Sequence, residues 1–426
     1  MSKHGPKIDY PIERVFVSDV AAVGGRLVRP GDLLVDAERE HELADLLRSR
    51  NGRRYDPKRF NPETDWRQRK GAPPYGDLNQ RLERHKADVR LWSGLSVQDT
   101  VDLVEREKVK GLHYNHVFVG EDFYHGGPGG APTEVPGPAT LPRPTGDGEA
   151  DVAVLDNGLP AGWETLHSEL RPVLDRFGNA SVPQDPMDEN GDSVLDKQAG
   201  HGLFICGLIA RVAPALDIHL HRVLHASGEG EEALITDTLL GLLGSSVKVI
   251  NMSLGAYIPG ADGPRLASTI RRLKDAGKIV VASAGNAGGT KYGPGALFPA
   301  SMPEVLAVGA YDSATGTLWD KSCRGDVYAP GVDILSAHVS WTGDIDWTEA
   351  PGSHTFKGWA KWSGTSFAAP LVAAELARLL ANPHPGTPQN VVDTWLAGQP
   401  PASWPNKQGA TPTPRYEPTN NVTHWV

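Results

Sequence analysis

The chain has 426 residues, of which 39% are hydrophobic, enough to form one large domain with a sizeable core and a smaller one beside it. Its 52 acidic residues outnumber its 42 basic residues, and the net charge of −10 argues against nucleic acid as the main partner. No run of about 18 apolar residues occurs, so we predict neither a membrane-spanning helix nor a membrane partner.

The N-terminus is polar from Met1 to Tyr10 and lacks the apolar core of a secretory signal peptide. The simplest expectation is a cytoplasmic protein, and secretion by a route without a recognisable signal peptide is the alternative. Cys206 and Cys323 fall in unrelated segments, which predicts no disulfide framework. We expect Cys206 to be a small buried hydrophobe, with a thiol-dependent activity as the alternative.

Residues 1–125 are predicted to form a small α+β module. The predicted elements in chain order are a strand over Leu33–Ala37, a helix over Glu38–Arg50 with an apolar face, a strand over Ala87–Trp92, a helix that begins after a capping box formed by Ser96 and Asp99, and a strand over Gly111–Val119. This β-α-β-α-β order suits a small sandwich of helices on a sheet.

Two segments rich in proline flank the central part of the chain. Residues 126–149 begin with Gly126-Gly127-Pro128-Gly129-Gly130 and carry repeated prolines, a composition that cannot pack a core and predicts a semi-extended linker. Residues 383–426 are also rich in proline and predict a C-terminal tail that is poorly ordered or lies on the surface.

The central part, residues 150–382, opens with a strand followed by a carboxylate. Ala150–Leu155 has the short apolar pattern of a strand in a parallel sheet, and Asp156-Asn157-Gly158 follows it directly. Asp156 is therefore expected at the carboxyl end of a strand, where open α/β sheets place their functional sites. The ordinary alternative for an Asp-Asn-Gly sequence is a simple turn.

An acidic segment follows between positions 185 and 196. Its polar residues are Asp185, Asp188, Glu189, Asn190, Asp192 and Asp196. Alternating oxygen ligands at Asp188, Asn190 and Asp192 are compatible with a structural Ca²⁺ loop, but the glycine and closing glutamate of an EF-hand are absent. We favour a solvated acidic loop over a calcium site. The cysteines and histidines offer no zinc-ligand spacing, so no metal ligand is assigned.

Three further positions stand at the ends of predicted elements. His201 lies at the start of a buried helix over Leu203–Ala210, and Asn286 follows a buried strand over Lys278–Gly285. Ser366 lies between a glycine turn and a buried helix, whose first N–H groups lack intrahelical partners; Pro370 is expected in that helix's first turn. Taken singly, each residue has an ordinary interpretation as a cap, a turn or a surface residue.

Taken together, Asp156, His201 and Ser366 follow one of the chain orders in which a Ser-His-Asp triad occurs. The sequences around them and around Asn286 resemble the Asp, His, oxyanion and Ser motifs of the subtilisin-like serine proteases, or subtilases. The motifs are Asp156-Asn157-Gly158, Gly200-His201-Gly202, Ser283-Ala284-Gly285-Asn286 and Gly364-Thr365-Ser366-Phe367-Ala368-Ala369-Pro370. The resemblance implies an α/β fold, a three-layer sandwich with a mainly parallel sheet, preceded by the α+β module.

The resemblance also implies a serine endopeptidase that hydrolyses protein or peptide substrates through an acyl-enzyme. Ser366 would be the nucleophile, His201 the general base, Asp156 the group that orients the imidazole, and Asn286 a donor to the oxyanion. No cofactor is required for this chemistry, although many subtilases bind calcium. The family's substrate-binding positions correspond to Ser253, Leu254 and Gly255 and to Ser283, Ala284 and Gly285.

Several features leave alternatives open. The module resembles a subtilase propeptide, which would make it an intramolecular inhibitor, but it could equally dock a partner. Leu203 and Phe204 replace the family's usual Thr-His, Asn157 replaces the commoner Ser or Thr, and Phe367 stands where Met is frequent. The alternatives are therefore a dedicated processing protease of a single partner protein and a catalytically silent binding protein.

Four tryptophans crowd the segment before Ser366. They are Trp341, Trp347, Trp359 and Trp362. We favour local packing of an irregular loop as their role, and an aromatic wall beside the substrate cleft is the alternative.

Overall fold

The computed structural model describes residues 20–23, 25–59, 67, 73–120, 130–136, 151–174, 184–258, 264–288, 295–347, 350–381, 386–399, 401–402 and 413–414. Most of the linker predicted over 126–149, and most of the tail after position 400, lie outside these residues. The described residues form two packed units, the N-terminal module and a larger α/β domain, which share one sheet.

The N-terminal module has an antiparallel sheet. Its elements are β1 (Ala21–Val23), β2 (Arg26–Asp36), α1 (Glu40–Ser49), β3 (Arg53–Arg54), α2 (Leu78–Arg84), β4 (Val89–Ser93), α3 (Val97–Val101) and β5 (Leu112–Gly120). The predicted capping box is present, because the Asp99 N–H donates to the Ser96 hydroxyl at 3.0 Å. The sequence pattern did not predict β1 or α2, and β2 begins earlier than expected.

The first half of the α/β domain carries the predicted Asp and His residues. Its elements are β6 (Thr133–Glu134), β7 (Asp151–Asp156), β8 (Leu159–Pro160), α4 (Trp163–Leu166), α5 (Arg171–Leu174), β9 (Gln184–Asp185), α6 (His201–Val212), β10 (Asp217–Arg222), β11 (Glu229–Glu231), α7 (Glu232–Leu242), β12 (Val249–Met252) and β13 (Leu254–Gly255).

The second half carries the predicted Asn and Ser residues. Its elements are α8 (Leu266–Asp275), β14 (Ile279–Ser283), β15 (Val305–Asp312), β16 (Thr317–Leu318), β17 (Val327–Pro330), β18 (Ile334–Asp344), β19 (Ser353–Trp362), α9 (Thr365–Leu380), α10 (Pro388–Gly398), β20 (Pro401–Ala402) and β21 (Thr413–Pro414).

A mainly parallel sheet forms the middle layer of this domain. The order β10-β7-β12-β14-β15 is parallel throughout, β17 adds to β15 in parallel, and β16 pairs with β15 antiparallel. Helices cover both faces, so the strands are apolar on both sides. In β7, Val152 and Val154 pack with the core that holds α6 and α9, whereas Ala153 and Leu155 pack with α7 and α8. The predicted three-layer α/β sandwich is confirmed.

A second sheet joins the two units. Strand β5 of the N-terminal module pairs antiparallel with β11 on one side, where Gly230 lies opposite Phe118. Its last residues pair antiparallel with β13, where Gly255 lies opposite Val119 and Leu254 opposite Gly120. The module therefore inserts the end of β5 between two strands of the α/β domain.

Two expectations about the segment around the serine are wrong. Pro370 is the sixth residue of α9 and not part of its first turn. The Trp-rich segment before Ser366 is not an irregular loop, because Ile334–Asp344 and Ser353–Trp362 pair as a long antiparallel hairpin. Trp347, Trp359 and Trp362 are buried in its packing against the core. The expectation of local packing is confirmed, although in a regular element.

Helix α10 lies within the segment predicted as a tail. Thr387 caps it by accepting a hydrogen bond from the Asn390 N–H, and Pro388 occupies the first helical position. Val391, Val392 and Trp395 are buried against the core. The high proportion of proline in the surrounding sequence concealed this apolar face.

The acidic segment is only partly solvated. Asp188 accepts backbone N–H bonds from Gly191, Asp192 and Ser193 in an exposed turn. Asp185 and Asp196, by contrast, are only 1% and 6% exposed. The expectation of a solvated loop is therefore wrong for these two carboxyl groups, because the chain turns inward to pack beside α6. Burial raises the pKa of Asp185 to about 6 and the pKa of Asp196 to about 8.

Asp196 is expected to make stability fall with rising pH. Its folded-state pKa of about 8 lies above that of an unfolded aspartate, so the stability it contributes is full below about pH 4 and lost as the pH rises through 8. Asp196→Asn, in a Ser366→Ala chain that prevents self-digestion, should raise Tm relative to its parent increasingly between pH 4 and 9.

The comparison is made by calorimetry across that pH range. Asp192→Asn, in the exposed part of the same loop, serves as the control and should give no such rise. Parallel Tm profiles for Asp196→Asn and its parent would contradict the prediction.

Candidate active site

Asp156 and His201 form a buried hydrogen-bonded pair. Asp156 is the last residue of β7 and His201 the first of α6, and both side chains are fully buried. The imidazole Nδ1 lies 2.9 Å and 3.1 Å from the two carboxylate oxygens. Because the carboxylate accepts a hydrogen bond from Nδ1–H, it fixes the tautomer that leaves Nε2 without a proton.

The backbone on either side of this pair is also fixed. Gly200 adopts φ +80°, and a Cβ there would lie 2.6 Å from a methyl carbon of Val339, so only glycine fits before the histidine. The Asn157 side chain bonds to both segments: Oδ1 accepts from the Gly202 N–H at 2.7 Å, and Nδ2 donates to the Gln198 carbonyl. Asn157, a departure from the family pattern, thus connects the Asp loop to the His loop.

Aromatic rings enclose the imidazole of His201. Trp362 meets it edge-on with ring centroids 5.6 Å apart, and Phe367 lies at 5.3 Å. Both rings belong to the elements that flank Ser366. His338, on the neighbouring strand β18, is buried, and burial lowers its pKa to about 3, which keeps it neutral. The apolar surroundings therefore hold the imidazole in place without adding a second charge.

Ser366 lies in the first turn of α9. The residue that follows it, Phe367, contacts the His201 ring. The serine is 1% exposed, and its hydroxyl has no hydrogen-bond partner among the described residues. Its carbonyl accepts a hydrogen bond from the Ser253 hydroxyl at 2.8 Å. This contact replaces the helical bond that Pro370, four residues later, cannot donate.

Asn286 is held against the same turn by Thr365. Its Oδ1 accepts from the Thr365 N–H at 3.0 Å and from the Thr365 hydroxyl at 2.9 Å. The Thr365 hydroxyl oxygen also accepts from the Gly285 N–H at 3.1 Å. These bonds fix the amide so that Nδ2 points toward Gly364, 3.5 Å from the position of a Cβ on that glycine.

The predicted substrate-binding positions differ in what their backbone and side chains contact. Leu254 and Gly255 present their backbone to β5. Ser253 instead bonds inward to Ser366, a role that its position at a strand end did not reveal. Ser283, Ala284 and Gly285 lie at the end of β14 and are buried, with Leu297 packed so closely that a Cβ on Gly285 would lie 2.7 Å from its Cγ. Leu297 thus lies between the two sets of predicted substrate-binding positions, since a Cβ on Gly255 would lie 3.2 Å from its Cβ.

The two cysteines are buried thiols. Burial raises the pKa of the Cys206 thiol, which suits a packing role better than a reactive one. In the described part of the chain, no group of three or more His, Cys, Asp or Glu side chains is arranged to hold a metal ion, and a structural calcium ion stays the untested alternative. None of the helices among the described residues has the length and apolar character needed to cross a membrane.

Comparison with known proteins places this site in a family context. Alkaline elastase YaB from Bacillus sp. (strain YaB) is 31% identical over 245 residues, which cover 55% of this chain and 54% of that protein. Subtilisin Savinase from Lederbergia lenta is 30% identical over 244 residues, covering 55% of this chain and 76% of that protein. The intracellular serine protease of Paenibacillus polymyxa is 30% identical over 245 residues, covering 54% and 67%.

The matched region thus spans only about half the length of alkaline elastase YaB. The model of the subtilase family matches residues 147–410, which is more than half of the chain and contains Asp156, His201, Asn286 and Ser366. The chain therefore belongs to the subtilase family.

Proposed function

We propose that this chain is a serine endopeptidase that cleaves peptide bonds through an acyl-enzyme, with Asp156, His201 and Ser366 as its triad. The single observation that supports this best is the buried Asp156–His201 pair, whose imidazole lies against the turn that carries Ser366. A carboxylate on Nδ1 is one part of the arrangement that acyl transfer requires, and the Ser366 hydroxyl would complete it by approaching Nε2.

The proton movements follow from this arrangement. His201 Nε2 takes the proton of the Ser366 hydroxyl as Oγ attacks the substrate carbonyl, and it later delivers that proton to the leaving amine. Asp156 stays ionised and stabilises the imidazolium that forms between these steps. The aromatic enclosure of His201 keeps water away from the buried side of the pair, which strengthens the electrostatic interaction.

Asn286 is proposed as the side-chain donor to the oxyanion. Its Oδ1 is bonded to Thr365, so Nδ2 is directed to the space beside the first turn of α9. The N–H of Ser366, at a helix N-terminus, would supply the second donor. Donors held in place before the reaction need no reorganisation when the negative charge develops.

We also propose that the N-terminal module is an intramolecular inhibitor. The end of β5 pairs with Leu254 and Gly255, the backbone positions predicted to bind an extended substrate. A strand that occupies this edge excludes a peptide that would bind by the same main-chain hydrogen bonds. A buried ion pair and a buried hydrogen bond hold it there: Arg29 Nε lies 2.7 Å from a Glu231 carboxylate oxygen, and His116 Nδ1 lies 2.7 Å from one of Glu232.

Labelling tests the proposed activity. The full chain should react with a serine-directed fluorophosphonate and hydrolyse casein at a rate limited by departure of the module from the cleft, and Ser366→Ala should lose both properties. Ser340→Ala, at an exposed serine on β18, is the matched control and should keep them. Absence of labelling in the wild type would sink the endopeptidase proposal, whereas labelling without casein hydrolysis would favour the dedicated processing protease.

Asn286→Ala should lower kcat by about 10²–10³-fold with little change in KM, because the donor acts mainly in the transition state; removing the corresponding asparagine of subtilisin has an effect of this size. The measurement is steady-state hydrolysis of a peptide ester. Asn390→Ala, in the exposed first turn of α10, is the control. An unchanged kcat in Asn286→Ala would remove this residue from the oxyanion site.

Arg29→Met should loosen the module, because it leaves Glu231 buried without its partner, a loss of about 3–5 kcal/mol. In a Ser366→Ala chain, β5 amides should then exchange hydrogen roughly 100- to 5,000-fold faster. Arg48→Met breaks an exposed pair with Asp45 in the same module, where about 1 kcal/mol or less is at stake, and should leave β5 protected. Equal protection in both variants would speak against docking through Arg29.

A further inference from the structure

Gly120 is the last residue of β5 and occupies the substrate edge. It lies opposite Leu254, and its N–H donates to the Gly228 carbonyl at 2.8 Å. Its backbone does not adopt a positive φ, so an L-amino acid could take the same conformation. The need for glycine at this position must therefore come from the space around it.

Gln198 fills that space. A Cβ built on Gly120 would lie 2.8 Å from Gln198 Oε1 and 3.1 Å from its Cδ, closer than van der Waals contact allows. The Gln198 side chain is fully buried, and neither its amide oxygen nor its amide nitrogen has a hydrogen-bond partner among the described residues. A buried amide without a partner calls for an explanation, and this one is directed at the strand in the cleft.

The backbone of Gln198 is held at both its polar groups. Its N–H donates to the Ala226 carbonyl at 2.9 Å, and its carbonyl accepts from the His201 N–H at 3.0 Å. On its other side lies Gly228, where a Cβ would be 2.4 Å from Gln198 Cγ. Gly228 thus limits the movement of Gln198 Cγ, and the Gln198 backbone is bonded to the loop that carries the proposed general base.

We propose that Gln198 is a specificity-determining residue that restricts one substrate position, the one occupied here by Gly120, to glycine. The inference rests on the proposed endopeptidase function and names its substrate class: extended peptides that place glycine against Gln198. A larger residue must displace a side chain anchored beside His201, so it loses binding in the ground state and in the transition state alike.

Two quenched fluorogenic peptides test the inference. One has the sequence of residues 114–125, Tyr-Asn-His-Val-Phe-Val-Gly-Glu-Asp-Phe-Tyr-His, and the other carries the Gly120→Ala change. Both are offered to the full wild-type chain, to Gln198→Ala and to Gln389→Ala, an exposed glutamine of α10. Fluorophosphonate titration gives the concentration of active sites in each preparation.

In the wild type and in Gln389→Ala, kcat/KM for the alanine peptide should be lower than for the glycine peptide by about tenfold or more. In Gln198→Ala the two values should agree within about twofold, because the obstructing amide is gone. The wild-type comparison needs no variant and decides the question even if Gln198→Ala does not fold.

The outcomes separate the inference from the function on which it rests. Labelling with equal hydrolysis of the two peptides, or labelling with hydrolysis of neither, overturns the role of Gln198 and leaves a serine hydrolase. An unchanged ratio in labelled Gln198→Ala also overturns it. Failure of the wild type to label overturns the proposed function itself.

Discussion

The active-site geometry depends on a hydrogen bond that α9 cannot make for itself. Pro370 has no N–H, so the carbonyl of Ser366, four residues earlier, lacks its helical donor. The Ser253 hydroxyl supplies that donor, and Ser253 in turn accepts from the Asn251 amide at 3.0 Å. The end of β12 is thereby bonded to the turn that carries the serine. Since Thr365 bonds the same turn to Asn286 and Gly285, the ends of β12 and β14 are both bonded to the start of α9.

A dry aromatic interior supports the polar pair at the centre of this unit. His201 contacts Trp362 and Phe367, and Phe204 packs on both of those rings at 5.9 Å and 4.6 Å. In such surroundings an isolated carboxylate would be costly, and the bond to His201 compensates for its burial. The hairpin β18–β19 therefore supports the site by packing Trp362 against His201. It supplies none of the proposed reacting groups.

Strands β11 and β13 present unpaired backbone groups at the substrate edge when β5 is absent. An exposed strand edge binds any extended chain that fits, and the module and a substrate would use the same bonds. Side chains must then provide the selectivity. Glu231 pairs with Arg29 of β2 and Glu232 with His116 of β5, while Gln198 Oε1 lies 2.8 Å from the position of a Cβ on Gly120. Under the proposed inhibition, the sequence of β5 indicates the shape and charge that the cleft accepts.

The sequence by itself determined the family, the α/β class and the four residues on which the proposed chemistry depends, because each motif couples a local backbone requirement to one functional side chain. Gly200 before His201 and Asp156 at the end of an apolar strand are requirements of this local kind. Short, strongly patterned elements such as β7 and α6 were therefore predictable.

Tertiary structure alone decided which groups meet. The bond of Ser253 to the Ser366 carbonyl, the insertion of β5 beside β13 and the position of Gln198 against Gly120 join residues far apart in the chain, and no local pattern encodes them. Burial of Asp185 and Asp196 depends in the same way on how the loop packs against α6. Long-range packing determines where a side chain lies and what its pKa is. The spacing of motifs along the chain determines only which functional groups are present.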